Sequence, residues 1–321
     1  MSKGALALLI RSGDQNWAPE RWRDRFRTAL PGRDVVSIPD DAFDPLAIDY
    51  AAVWKPKHGE LAAFPNLKVI FNLGAGVDAV LSDPQRPDVP LVRVAVDDLT
   101  SRMTEYVVMH TLMHHRQQSY LAGCQARSEW APREQWPASA VRVGVLGLGV
   151  LGRHAAEMLH ALGFQVAGWS VTRKSLTGIS CYAGHGELGT FLARTDILVC
   201  LLPLTPQTSG LLRRELFLQL AKDGPLGGPV VINAGRGGLQ NESDILDCLD
   251  NGVLKAVTLD VFEAEPLNPA SRLWRHPAVT ISPHNAADTD PDTISSYVAG
   301  QILQFEAGGT LENVVDRARG Y

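Results

Sequence analysis

The chain has little cysteine. Its four residues of that type, Cys124, Cys181, Cys200 and Cys248, are scattered and form no close CxxC pair, which excludes a disulfide-built scaffold for a protein of this size. They are expected to be reduced and mostly in the core, in a cytosolic protein. Long hydrophobic runs are also missing. The apolar stretch Ala5–Ile10 that follows Met1-Ser2-Lys3-Gly4 is broken by Arg11 and Asp14, too short for a signal sequence or a membrane span. Positive charge is not in excess: 30 basic residues face 35 acidic ones, for a net charge of −5, so no overall field exists to hold a nucleic-acid backbone or an anionic membrane. Neither nucleic acid nor membrane is expected as a partner. Internal repeats and low-complexity tracts are absent. What remains is a chain of 321 residues, 45% hydrophobic and 20% charged, with 29 glycines and 20 prolines, the composition of a soluble globular protein of about two domains.

Short apolar runs alternate with amphipathic segments almost from end to end, the pattern of parallel strands joined by crossover helices. The fold class is α/β. Strands are predicted at 5–10, 35–38, 51–54, 69–72 and 91–94, with a helix at 19–29, making a first open α/β domain. A helical pattern from Ser101 to about Leu121 leads through a stretch rich in Arg, Trp and Pro to Trp136-Pro137. Strands follow at 141–146, 165–169, 197–201, 230–233, 256–259 and 279–281, with helices at 151–162, 188–194, 214–220 and 243–251. The last helix, 292–307, repeats apolar residues at Ile294, Val298, Ile302 and Phe305, a stripe that must pack on something already formed. It is expected to cross back to the first domain. The expected division is therefore 1–100 plus 285–321 for one domain and 101–284 for the other.

The strand at 141–146 runs into Gly147-Leu148-Gly149-Val150-Leu151-Gly152 and then into a helix. In that context GxGxxG is a dinucleotide turn: Gly147 allows the tight bend, Gly149 the approach of a pyrophosphate, and Gly152 close helix–strand packing. The N–H groups of Val150, Leu151 and Gly152 at the helix start attract the anion. An NAD enzyme would place an acid at the end of the second strand to bind the ribose 2′-hydroxyl, but here the chain reads Trp169-Ser170-Val171-Thr172-Arg173-Lys174. With no carboxylate to repel it, a 2′-phosphate can be met by Ser170, Thr172, Arg173 and Lys174. NADP(H) is the preferred cofactor, with NAD(H) as the alternative.

Three further segments lie at predicted strand ends, where ligands bind in open α/β sheets: Asn233-Ala234-Gly235-Arg236-Gly237, Asp260-Val261-Phe262-Glu263-Ala264-Glu265-Pro266, and Ser282-Pro283-His284-Asn285-Ala286. With the glycine turn, in this order and at these separations, they resemble the D-isomer-specific 2-hydroxyacid dehydrogenase family. Leu73-Gly74-Ala75-Gly76-Val77-Asp78 and Leu201-Leu202-Pro203-Leu204-Thr205-Pro206-Gln207-Thr208 extend the resemblance over essentially the whole chain. Trp169-Ser170, Arg173-Lys174-Ser175, Leu273-Trp274-Arg275-His276-Pro277 and the terminal Val315–Tyr321 resemble its glyoxylate/hydroxypyruvate reductase A subgroup. Asn285 and Gly235 depart from the common family pattern and leave substrate preference open.

The resemblance implies two Rossmann-like or flavodoxin-like domains with parallel sheets flanked by helices, the active site in the cleft between them, and a homodimer to which the helix near Ser101 contributes. It implies reduction of a 2-oxo acid. Arg236 would bind the substrate carboxylate and carbonyl oxygen, and its planar guanidinium could polarise the carbonyl as well as hold it. His284 would be the general acid, and Glu265 would accept from its other ring nitrogen, favouring the imidazolium. Leu202, Pro203, Thr208, Ala234, Gly235 and Asp260 would lie beside the cofactor. Backbone N–H groups at Ala75, Gly76 and Val77 could hold the carboxylate, and Trp54 could limit substrate size. His110 and His114 share a helix face at metal-ligand spacing, but no third ligand is evident, so no metal is expected. Arg317 and Arg319 could close over an anionic substrate, bind a partner subunit, or simply be solvated. Two rival readings stay open: a dehydrogenase of the same family acting on another or longer 2-oxo acid, and a nucleotide-sensing binding protein without activity.

Overall fold

The first six apolar residues of the sheet, β1 (Ala5–Ile10), are all buried, as a parallel strand covered on both faces requires. Their side chains alternate: Leu6, Leu8 and Ile10 enter one core cluster and Ala5, Ala7 and Leu9 the other. The chain continues through α1 (Pro19–Ala29), β2 (Val35–Ser37), β3 (Ile48–Trp54), β4 (Val69–Asn72), α2 (Asp78–Leu81) and β5 (Leu91–Arg93). In this computed structural model, which describes residues 4–11 and 17–320, the five strands form one parallel sheet of order β2-β1-β3-β4-β5. Met1, Ser2, Lys3, Asp14 and Tyr321, on which parts of the terminal readings rest, lie outside the described residues.

Next come α3 (Asp97–His115), α4 (Gln118–Ala126), β6 (Arg142–Leu146), α5 (Val150–Ala161), β7 (Gln165–Ser170), β8 (Ser180–Ala183), α6 (Gly184–Ala193), β9 (Ile197–Cys200), α7 (Arg214–Phe217), β10 (Val230–Asn233), α8 (Glu242–Asp250), β11 (Ala256–Leu259) and β12 (Val279–Ile281). Their seven strands form a second parallel sheet of order β12-β11-β10-β9-β6-β7-β8. The strand order reverses beside β6, so the loops leaving β6 and β9 flank the switch point where such sheets bind ligands. The one helix expected from Ser101 to Leu121 is two: it starts earlier, with Asp97 and Asp98 in its first turn, and breaks where Gln117 adopts φ 55°. β8 and the single turn α2 were not predicted. β8 is a half-exposed edge strand without apolar alternation, and α2 is too short for a period to show.

The final helix, α9 (Pro291–Glu306), begins with Asp290 accepting from Thr293 N–H at 2.8 Å and with proline at its first position. It buries Ile294, Val298 and Ile302 in the cluster that holds Trp22 and Phe26 of α1. Each such side chain contributes about 1.5–3 kcal/mol on burial. Arg33, 5% exposed, pairs with Glu306 at 2.7 Å. The chain thus clusters into two compact units, Met1–Leu99 with Thr289–Tyr321, and Thr100–Asp288. The second runs a few residues past His284 because Ala286 is buried in its core and hydrogen-bonded to Asp260.

Candidate active site

The glycine turn sits between β6 and α5. Gly147 has φ 101°, which a side chain rarely adopts, and a Cβ on Gly152 would lie 1.8 Å from Gly147 O. Gly149 is under neither constraint: its φ is −72° and a Cβ there would meet nothing within 4 Å. Its bareness serves no packing need of the protein and leaves an open floor at the N-terminus of α5. There Val150, Leu151 and Gly152 have N–H groups without intrahelical acceptors. These residues fit a dinucleotide pyrophosphate.

At the carboxyl end of β7, Ser170 is buried and donates to Thr172 O at 2.8 Å. Lys174 is exposed. Arg173 donates to Cys181 O at 2.8 Å and pairs with Glu187 of α6, whose other oxygen accepts from Ala183 N–H at 2.8 Å. That backbone bond, then Arg173, hold the Glu187 carboxyl below its ordinary range. Sequence reading missed Glu187, which lies 14 residues beyond Arg173 in the chain and in no recognisable motif.

The loop after β9 is closed by Thr208, which donates to Pro203 O at 2.7 Å and accepts from Thr205 N–H at 2.8 Å. Leu202 is buried, and its carbonyl lies 2.8 Å from the position of a Cβ on Gly235. After β10, buried Asn233 shapes the Ala234-Gly235-Arg236 turn: its Oδ1 accepts from Gly235 N–H at 3.0 Å, and its Nδ2 donates to Arg236 O at 3.2 Å and to Gln240 Oε1 at 2.8 Å. Gln240 donates in turn to Val261 O at 2.9 Å, and a Cβ on Gly237 would strike Phe262 O at 1.7 Å. The Arg236 turn is thereby bolted to the segment after β11. Asn233 and Gln240 were not predicted; a buried amide at a strand end is the signal that could have found them.

From that segment, Glu265 accepts from Phe262 N–H through one oxygen at 3.3 Å, while its other oxygen lies 2.7 Å from His284 Nδ1. An ionised carboxylate only accepts, so Nδ1 carries a hydrogen and Nε2 is left to exchange a proton with a ligand. Both side chains keep partial exposure, 27% for His284 and 22% for Glu265. His284 sits at φ 55°, which costs a residue with a Cβ roughly 1–2 kcal/mol. Asp260 holds it there: its carbonyl accepts from His284 N–H at 2.8 Å, and its carboxylate accepts from Asn285 N–H at 3.0 Å, Ala286 N–H at 3.1 Å and Ser282 Oγ at 2.7 Å. Burial pushes the Asp260 carboxyl up; these donors oppose the shift. Expected beside the cofactor, Asp260 is 2% exposed and engaged with its own loop. Ser282 also meets Tyr106 Oη of α3 at 2.7 Å.

In the first unit, buried Asn72 donates to Gly74 O at 2.7 Å and Gly76 O at 2.9 Å. It turns these carbonyls inward and shapes the loop through Ala75, Gly76 and Val77. Trp54 stacks on Trp17 at 4.8 Å and covers Gly74, where a Cβ would come within 2.4 Å of its ring; it braces this loop from the core side. Arg317 pairs with Asp88, and Arg319 with Asp316 at 3.2 Å. His114 Nε2 lies 2.8 Å from Thr258 Oγ1, and His110 packs on Tyr106 with ring centroids 4.3 Å apart. Among the described residues no group of three or more His, Cys, Asp or Glu could hold a metal ion, and no helix is long and apolar enough to cross a membrane.

Residues 108–286 match the family model for the NAD-binding domain of D-isomer-specific 2-hydroxyacid dehydrogenases. Over 308 residues the chain is 40% identical to glyoxylate/hydroxypyruvate reductase A of Serratia proteamaculans, covering 94% of this chain and 96% of that one. A Sinorhizobium meliloti NADPH-dependent glyoxylate/hydroxypyruvate reductase, crystallised with NADP and sulfate, superposes with a TM-score of 0.93 at 45% identity, over 99% of this chain and 100% of that one. A probable 2-hydroxyacid dehydrogenase from Rhizobium etli, in complex with NADP, HEPES and tartaric acid, gives 0.92 at 44% identity over 99% of each.

Proposed function

The chain belongs to the D-isomer-specific 2-hydroxyacid dehydrogenase family, and on that footing we propose that it reduces small 2-oxo acids, glyoxylate and hydroxypyruvate, to 2-hydroxy acids with NADPH. The observation that carries this reading is the His284–Glu265 pair at 2.7 Å, set beyond the carboxyl ends of the parallel strands, as are the Arg236 turn and the glycine cradle. When bound, the reduced nicotinamide supplies hydride to C2 of the acid. Arg236 holds the carboxylate and draws electron density onto the carbonyl oxygen, stabilising the alkoxide as it develops. His284 gives its Nε2 proton to that alkoxide while Glu265 keeps the ring oriented through Nδ1. The dinucleotide lies along Gly147, Gly149, Val150, Leu151 and Gly152, beside Leu202, Pro203, Thr208, Ala234, Gly235 and Asp260. Ser170, Thr172, Arg173 and Lys174 receive the 2′-phosphate, a role supported by the absence of an acid at the end of β7. Four free cysteines suit a cytosolic protein. A homodimer is proposed through the face of α3, α4 and the segment after them, where Met109, Leu121, Trp136 and the 97% exposed Trp130 stand out from the second unit.

The test is steady-state oxidation of NADPH and NADH with glyoxylate, hydroxypyruvate, pyruvate and longer 2-oxo acids. Turnover of the two small acids, faster with NADPH, is expected. Faster turnover of a longer acid would move the substrate assignment, and NADPH binding without turnover of any acid would make the protein a nucleotide-binding module.

A further inference from the structure

The left-handed loop that presents His284 is secured from a distant helix. The Asp260 carboxylate, surrounded by the Asn285 and Ala286 N–H groups and by Ser282, can only accept, so the single hydroxyl proton of Ser282 is committed to it. Ser282 Oγ is then left as an acceptor, and Tyr106 Oη, 2.7 Å away, must be its donor. The proton order is fixed along Tyr106, Ser282 and Asp260. Tyr106 is 7% exposed, and its ring packs on His110, a contact that phenylalanine would keep. The hydroxyl adds a donor where packing alone requires none. Asp260, the end of this chain of bonds, is also the residue whose carbonyl and carboxylate grip the backbone on both sides of the His284 side chain.

We propose that Tyr106 is a positioning residue for the reduction: through Ser282 and Asp260 it holds the loop that aims the His284 imidazole. The inference rests on the reductase reading given above. It separates the packing of the Tyr106 ring, a matter of stability, from its hydroxyl, which bears on turnover. Neither Tyr106 nor Ser282 touches substrate or dinucleotide in this scheme, so their loss should slow the proton step and leave binding intact.

The experiment compares the full-length Tyr106→Phe, Ser282→Ala, double and Ser282→Thr proteins. Values of kcat and KM are measured with glyoxylate, and the NADPH Kd by quenching of protein fluorescence. Each single removal should lower kcat about tenfold, less than the roughly 100-fold that a full 1 Å misplacement can cost, with KM and Kd within about twofold. Because the two hydroxyls act in series, the double variant should be no slower than Ser282→Ala, and Ser282→Thr, which restores a hydroxyl, should regain most of the rate. Unchanged kcat in Tyr106→Phe, multiplying losses in the double variant, no rescue by threonine, or a change confined to KM or Kd would each overturn the proposal. If Tyr106→Phe folds poorly, the Ser282 pair carries the test, since it leaves α3 untouched. An active wild type with an unaffected Tyr106→Phe defeats this inference alone; a wild type that turns over none of the acids defeats the reductase reading and this inference with it.

Discussion

Arg236 shows how much of a site is settled at single residues. One terminal nitrogen of its guanidinium donates to Gly235 O at 2.8 Å, so the group is partly oriented by its own turn, and its planar fork has the geometry of a carboxylate. Lysine would keep the charge and lose the fork. Arg236→Lys should lower kcat/KM by about 100-fold or more, the scale for removing a preorganised donor, while NADPH Kd is unchanged; intact turnover would place the anchor elsewhere. A second residue-scale expectation concerns acid. His114, against Thr258, is held down to about 4 by burial, with smaller contributions from His110 and Lys255, and burial also lowers His110 and His115. A folded-state value below the unfolded one means that the stability is present above about pH 6.5 and is lost as pH falls toward 4. For His114 the loss is at most about 3 kcal/mol. Urea unfolding of His114→Gln between pH 7 and 4 should show a shallower decline than wild type; parallel curves would mean that His114 takes up its proton without penalty.

At the scale of elements, the turn between β6 and α5 separates glycines required by the fold from one that the fold does not need. A Cβ on Gly152 would sit 1.8 Å from Gly147 O, so Gly152→Ala must push α5 off its strand and should cost about 1–3 kcal/mol or more. Gly149→Ala meets nothing within 4 Å and should cost the apo protein no more than about 1 kcal/mol as a changed helix cap, yet weaken NADPH at least about tenfold by crowding the pyrophosphate. Melting curves and NADPH titrations on both variants check the contrast; equal NADPH affinity in Gly149→Ala and wild type would refute it. Most elements were legible because parallel strands buried on both faces read as short apolar runs, and β1, β4, β10, β11, β12 and α1 fall on their predicted residues. Those that were not lack a local signal. Nothing in Gln117 announces a left-handed break, and β8 owes its order to pairing with β7.

For the whole molecule, the proposed homodimer places a demand on Trp130. An indole 97% exposed adds apolar surface to water without return in a monomer, whereas a partner would bury it. Trp130→Asp should shift sedimentation from dimer to monomer at micromolar concentration; a monomeric wild type would dispose of the assembly, and a dimeric variant would move its centre away from this segment.

The amino-acid sequence by itself determined the α/β class, the glycine turn in its strand–helix setting and the three strand-end segments, because these depend on periodicity and on chemistry carried by neighbouring residues. Tertiary structure decided what holds the reactive groups. Asn72 shaping the loop at Gly74 and Gly76, Glu187 on Arg173, the Asp260 fork around His284, and the bond from Tyr106 to Ser282 across 176 residues join groups with no shared local pattern. Hydrogen bonds are satisfied by whatever donor the folded chain brings near, and only the tertiary fold specifies which donor that is.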